Sequence, residues 1–130
     1  MNHPGRLHIA VIILMALVLT QGCYYDQVLP EPDPEPTDTV SFSMDVLPIF
    51  NQSCNISGCH SPGSITPDLS PANAYNSLLT QGYIDVAVPE NSELYQWMSG
   101  TREFPMPITG SQPVYNGIVL AWIKEGAKNN

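Results

Sequence analysis

The stretch that most constrains this chain is Cys54-Asn55-Ile56-Ser57-Gly58-Cys59-His60, two cysteines with a histidine directly after the second. A Cys-x-x-Cys-His run reads as covalent haem attachment, because two thiols add to the two vinyl groups of the porphyrin and the adjacent imidazole is brought to the iron. Here four residues, not two, separate the cysteines. The chemistry tolerates this if the intervening loop bulges outward while the two sulfurs keep the separation that the vinyls require.

Two other uses of the same side chains can be weighed against haem. Past the N-terminal leader described below, His60 is the only histidine, and Cys54 and Cys59 are the only cysteines not belonging to the leader's end. A structural zinc site needs four ligands, and Cys54, Cys59 and His60 would have to recruit a carboxylate, which such sites seldom use. A small-loop disulfide between Cys54 and Cys59 is the plainer alternative, and an exported protein would permit it.

The order and spacing of further pieces resemble a known family. Asp45-Val46-Leu47-Pro48-Ile49-Phe50 precedes the first cysteine, and Leu94-Tyr95, Met106-Pro107, Trp122-Ile123 and Gly126-Ala127 follow the histidine. Together the block from Phe42 to Ala127 resembles the small c-type cytochrome domains of bacterial exported lipoproteins, including the variant with four residues between the haem cysteines. The resemblance implies an all-α, cytochrome c-like fold of about four helices around one covalently bound haem c. It also implies thioether bonds from Cys54 and Cys59, with His60 as one axial ligand of the iron and a methionine as the other.

Residues 1–22 read as a signal peptide of the lipoprotein type. Ile9 to Leu19 is an unbroken apolar run of eleven residues, preceded by Arg6 and followed by Thr20-Gln21-Gly22-Cys23. That is too short to span a bilayer, which takes about 20 residues as a helix, and suits a signal-peptide core. Cys23, directly after a glycine, is the candidate for lipidation; the alternative is an ordinary cleaved leader that leaves Cys23 as a free thiol. Residues 23–40 then form a tether in which Pro30, Pro32, Pro34 and Pro36 alternate with Glu31, Asp33 and Glu35. Proline fixes φ and like charges repel, so an extended, solvated spacer without a core is expected.

The haem domain is expected over residues 41–130, and its helices can be placed from start and stop signals. The first is expected from about Asp45 to Gln52, with Pro48 in its first turn. The second is expected to start with Ser70 as N-cap and Pro71 at the first helical position, to carry Ala74, Tyr75, Leu78 and Leu79, and to stop at Gly82. A third should run from Asn91 or Ser92 to Gly100 and carry Leu94, Tyr95, Trp97 and Met98. The last should run from about Gln112 to Glu125, capped by Ser111 and closed by Gly126, with Val114, Ile118 and Trp122 as its packing face.

Three methionines could supply the sulfur ligand. Met106 lies between Pro105 and Pro107, which stiffen its backbone outside any helix. Met98 is expected in the core, and Met44 lies too near Cys54 to reach across a haem. Met106 is therefore the favoured second axial ligand, the alternative being a water-exposed or vacant sixth site.

Arg102, Lys124 and Lys128 stand against all twelve acidic residues once the leader is excluded. Such a balance argues against nucleic acid and for a basic or neutral protein partner. The expectation is a lipid-anchored carrier of single electrons in the bacterial cell envelope, not an enzyme, whose membrane contact is the anchor and whose redox partner is another protein. The alternatives are a non-redox surface lipoprotein pinned by a Cys54–Cys59 disulfide, and a haem enzyme with a labile sixth ligand.

Overall fold

The computed structural model describes Pro34 and residues 36–130; the expected leader, the lipidation candidate Cys23 and the first part of the tether lie outside the described residues. Four α-helices follow in chain order: α1 (Leu47–Ser53), α2 (Ala74–Thr80), α3 (Glu93–Ser99) and α4 (Pro113–Lys124). A π turn at Phe42–Val46 leads into α1 and a 3-10 turn at Pro89–Asn91 precedes α3. The described part is thus all-α, as expected, and none of its helices is long and apolar enough to cross a membrane.

The first helical run begins earlier than Asp45, because a reciprocal cap starts it at Ser41. The Ser41 hydroxyl accepts from the Met44 N–H while the Asp45 carboxylate accepts from the Ser41 N–H at 2.8 Å. Each satisfies a donor that the first turn leaves over. Pro48 falls in the first turn of α1, where its missing N–H is tolerated.

The start expected for α2 is corrected. Ser70 and Pro71 do not open the helix; residues 71–73 form a turn and Asn73 occupies the cap position. Asp68 organises this approach instead. Its Oδ1 accepts from the Ser70 N–H at 2.9 Å, its Oδ2 accepts from the Asn73 amide at 2.8 Å, and its own N–H donates to Ser77 Oγ at 2.9 Å. With the carboxylate holding the turn, the helical register starts three residues later. The end is as expected: Gly82 takes φ 78° and the Tyr83 N–H returns to Leu78 O at 3.0 Å, a left-handed closure open to glycine without strain.

Helix α3 ends at Gly100 in the same left-handed conformation, φ 79°. Ser92 precedes it without capping it, because its hydroxyl is engaged with the backbone of Asp85, accepting from the N–H at 2.9 Å and donating to the carbonyl at 3.2 Å.

In α4 the expected packing row is only partly right. Val114 is 60% exposed and Ile118 half-buried, while Asn116, Val119, Leu120, Trp122 and Ile123 are buried. A row of residues four apart drifts around an α-helix, whereas the i, i+3, i+4, i+7 stripe starting at Asn116 stays on one face.

The core gathers around Phe42. Its ring centroid lies 5.2 Å from that of Trp122 and 5.3 Å from that of Tyr75, distances at which aromatic pairs add to simple area burial. The polar tips are satisfied on backbone carbonyls, Trp122 Nε1 on Lys128 O at 2.8 Å and Tyr75 OH on Ala127 O at 3.1 Å. The two ends of the domain are tied together as well. Phe42 N–H donates to Asn130 Oδ1 at 2.8 Å, and the Glu125 carboxylate accepts from the Val40 N–H. Val40 is 4% exposed, so the domain already includes the last residue assigned to the tether. Pro34 also belongs to it by contact: its carbonyl lies over Gly117 of α4, where any Cβ would overlap it.

Candidate functional site

Helix α1 ends at the first cysteine, and the Cys54 N–H closes on Phe50 O at 2.9 Å. The next four residues loop outward. Ile56, Ser57 and Gly58 are exposed, and Gly58 takes φ 83°, a conformation that side chains resist. The loop then returns on itself, since the His60 N–H donates to Cys54 O at 3.2 Å and the Cys59 N–H to Ile56 O at 2.9 Å. The extra residues therefore bulge while the motif's two ends stay joined.

After His60 the chain turns around the imidazole. The Ile65 N–H donates to Cys59 O at 2.9 Å and the Leu69 N–H to His60 O at 2.8 Å. This brings Pro67 O to 3.0 Å from His60 Nδ1. A carbonyl oxygen can only accept, so Nδ1 is the donor here, and in the neutral ring this leaves the lone pair on Nε2.

Cys54, Cys59, His60, Met98 and Met106 all line one cavity of about 680 Å³. Most of the remaining wall is apolar, with Leu69, Leu94, Tyr83 and Trp97 inside it and Ile56, Ile65 and Ile108 at its rim. These three isoleucines are 51%, 62% and 83% exposed, apolar area that a flat apolar ligand in the cavity would cover. Both cysteines are free thiols. Burial, with a smaller contribution from nearby Cys59, pushes the Cys54 thiol up to about 11, so it is neutral at physiological pH. Among the described residues no three of His, Cys, Asp and Glu are grouped so as to hold a metal ion by themselves.

The methionines divide as follows. Met44 is 76% exposed and away from the cavity. Met106 lines it from the loop between α3 and α4, its N–H anchored on Trp97 O at 2.8 Å. Met98 is 3% exposed and packs in the core as expected, but it is also part of the cavity wall. Its place on a helix next to Trp97 marks it as core, and nothing in the sequence tells a core residue behind a cavity from one inside a closed core.

One side of the cavity is polar. Glu93 Oε1 accepts from Trp97 Nε1 at 3.2 Å and from Arg102 Nη1 at 2.8 Å, and the Arg102 guanidinium lies 5.2 Å over the Trp97 ring. This cluster was not anticipated, nor was Pro67 as the acceptor for His60. The first had a partial signal in the Glu93-x-x-x-Trp97 helical spacing; which carbonyl faces an imidazole depends on loop geometry alone.

Comparison with protein-family models, with characterised proteins and with solved structures gives no match.

Proposed function

We propose that this protein is a membrane-tethered monohaem c-type cytochrome that carries single electrons in the cell envelope. The observation that carries the reading is the convergence of Cys54, Cys59, His60 and Met106 on one apolar cavity, with His60 Nδ1 already committed to Pro67 O. The cavity's volume falls in the range of cofactor sites, roughly 300–1,000 Å³. Its donor set of two thiols, one imidazole nitrogen and thioether sulfur suits haem c better than it suits a bare ion.

Haem bound there would supply a one-electron ferric/ferrous couple. Cys54 and Cys59 would each add S–H across a vinyl double bond, sulfur bonding one carbon and hydrogen going to the other, without net oxidation. His60 would present Nε2 to the iron, its ring held in one orientation and one tautomer by Pro67; such outer contacts raise ligand basicity and fix geometry. Met106 would present its sulfur on the other side, a pairing that raises the potential relative to two nitrogens. With His60 and Met106 both given to it, the haem would be suited to electron transfer over oxygen or peroxide chemistry.

Cys23 would carry the lipid anchor and the proline-rich segment would give the domain reach from the membrane. The acidic balance would favour a basic or neutral redox partner at low ionic strength.

The test is extraction. Protein expressed with haem-attachment machinery should keep its colour with the polypeptide in acid–acetone, and a Cys54→Ala/Cys59→Ala double variant should be colourless. Haem that extracts freely from the wild type, or a colourless wild type with the mass of a Cys54–Cys59 disulfide form, would overturn the proposal. Anchoring is tested separately by Cys23→Ser, which should move the protein from the membrane to the soluble fraction; equal partitioning would reject the lipid.

A further inference from the structure

Asn116 is the one buried amide of α4, 1% exposed, and it lies outside the cavity's lining. With its oxygen turned to Ser111 Oγ, the orientation that satisfies all its polar neighbours, it accepts from that hydroxyl at 2.7 Å. It then donates to Met98 O at 3.3 Å and to Gln112 O at 3.2 Å. Met98 is the penultimate residue of α3, and Ser111 and Gln112 are the last residues before α4. A single side chain thus joins the two ends of the loop that carries Met106. Inside that loop the Met106 N–H is fixed on Trp97 O at 2.8 Å, and Arg102 is held by Glu93 and Trp97. Both cavity methionines therefore hang from the last turn of α3, and Asn116 adds a hydrogen-bonded tie from that turn to the start of α4, beside the packing of the two helices.

A buried amide at this place is costly unless every bond is made. An apolar residue would fill the same volume more cheaply, yet would leave Met98 O without this donor and let the loop ends separate.

We propose that Asn116 is a positioning residue for the sixth iron ligand, a clasp that holds the Met106 loop shut over the cavity; the assignment rests on the haem reading above. It touches neither haem nor iron and acts only through the backbone of α3 and the loop ends.

The experiment compares the wild type with Asn116→Leu, and with Ser111→Ala as a milder variant at an exposed position, all as full-length protein. Hydrogen exchange followed by mass spectrometry reports the loop directly. In Asn116→Leu, residues 100–111 should exchange about tenfold faster, the size expected from losing buried bonds of this kind, while α1 and α2 keep wild-type protection. The same variant should lose the methionine-to-iron charge-transfer band with haem still attached, and its reduced form should bind carbon monoxide. Ser111→Ala should move both readouts in the same direction by less, and it decides the matter if Asn116→Leu does not fold. The clasp is overturned if exchange rises equally in α1 and α2, which is plain destabilisation, or if the loop loosens while band and carbon monoxide access stay as in the wild type. A wild type with no such band would instead reject the proposed methionine ligation, and the exchange result would then judge the clasp alone.

Discussion

Nδ1 of His60 lies 3.0 Å from the carbonyl oxygen of Pro67, seven residues further along. The contact fixes more than a ring angle, because it decides which nitrogen is protonated. The haem-free chain should therefore show the Nδ1-protonated tautomer of His60 in a long-range proton–nitrogen correlation spectrum. Dominance of the Nε2-protonated form would show that the loop does not hold the imidazole for ligation.

The Cys54 thiol, pushed from its ordinary 9.0 up to about 11 chiefly by burial, gives the haem-free domain an alkaline weakness. Between those values the unfolded chain has released a proton that the folded chain still holds. The stabilisation is fully present below about pH 9 and is lost as pH rises through 11. A two-unit shift corresponds to about 2–3 kcal/mol at most. Urea midpoints of the haem-free wild type should fall between pH 9 and 11 more steeply than those of Cys54→Ala. Parallel pH profiles would show that the thiol is not buried as described.

Gly117 offers a test of where the tether ends. A Cβ at this position would overlap the Pro34 carbonyl, which is backbone and cannot swing aside as a side-chain tip would. Alanine is otherwise better than glycine inside a helix by about 1 kcal/mol. Gly117→Ala should therefore leave the thermal midpoint of the domain nearly unchanged or slightly raised, yet speed amide exchange at Thr37–Thr39 as the preceding chain is displaced. Unchanged exchange there would mean that Pro34 does not rest on α4.

The legible parts of this fold are those where local chemistry acts alone. Gly82 and Gly100 end helices because a left-handed residue is needed there, and the glycine itself is the signal. Ser70-Pro71 misled because Asp68, two residues upstream, competes for the same backbone donors and delays α2; a capping pattern does not reveal its competitors. Val114 misled because spacing by four gives a row and not a face. For the proposed site, Cys54, Cys59, His60 and Met106 stand out by residue type and spacing, and all four line one cavity. Pro67 O, the Glu93–Trp97–Arg102 cluster and Asn116 were not, since each depends on a contact across a loop that no local pattern encodes.

The two methionines of the cavity wall differ in what freeing their side chains would cost the fold. Thioether sulfur on ferric haem gives a weak charge-transfer band at the red edge of the visible spectrum. Met106 is half-buried, stands outside any helix and has its backbone pinned at Trp97, so its side chain can be given to a ligand at little cost to the core. Met98 is 3% exposed among Leu94, Trp122 and their neighbours, where moving its side chain would open a void. Met106→Ala should thus abolish the band, lower the potential and admit carbon monoxide while haem remains attached through Cys54 and Cys59. Met98→Ala should keep the band and lose stability, by about 2–5 kcal/mol for a fully buried side chain. A band that survives Met106→Ala and disappears in Met98→Ala would reverse the two roles, and the core would then have to rearrange around α3 to release the sulfur it now holds.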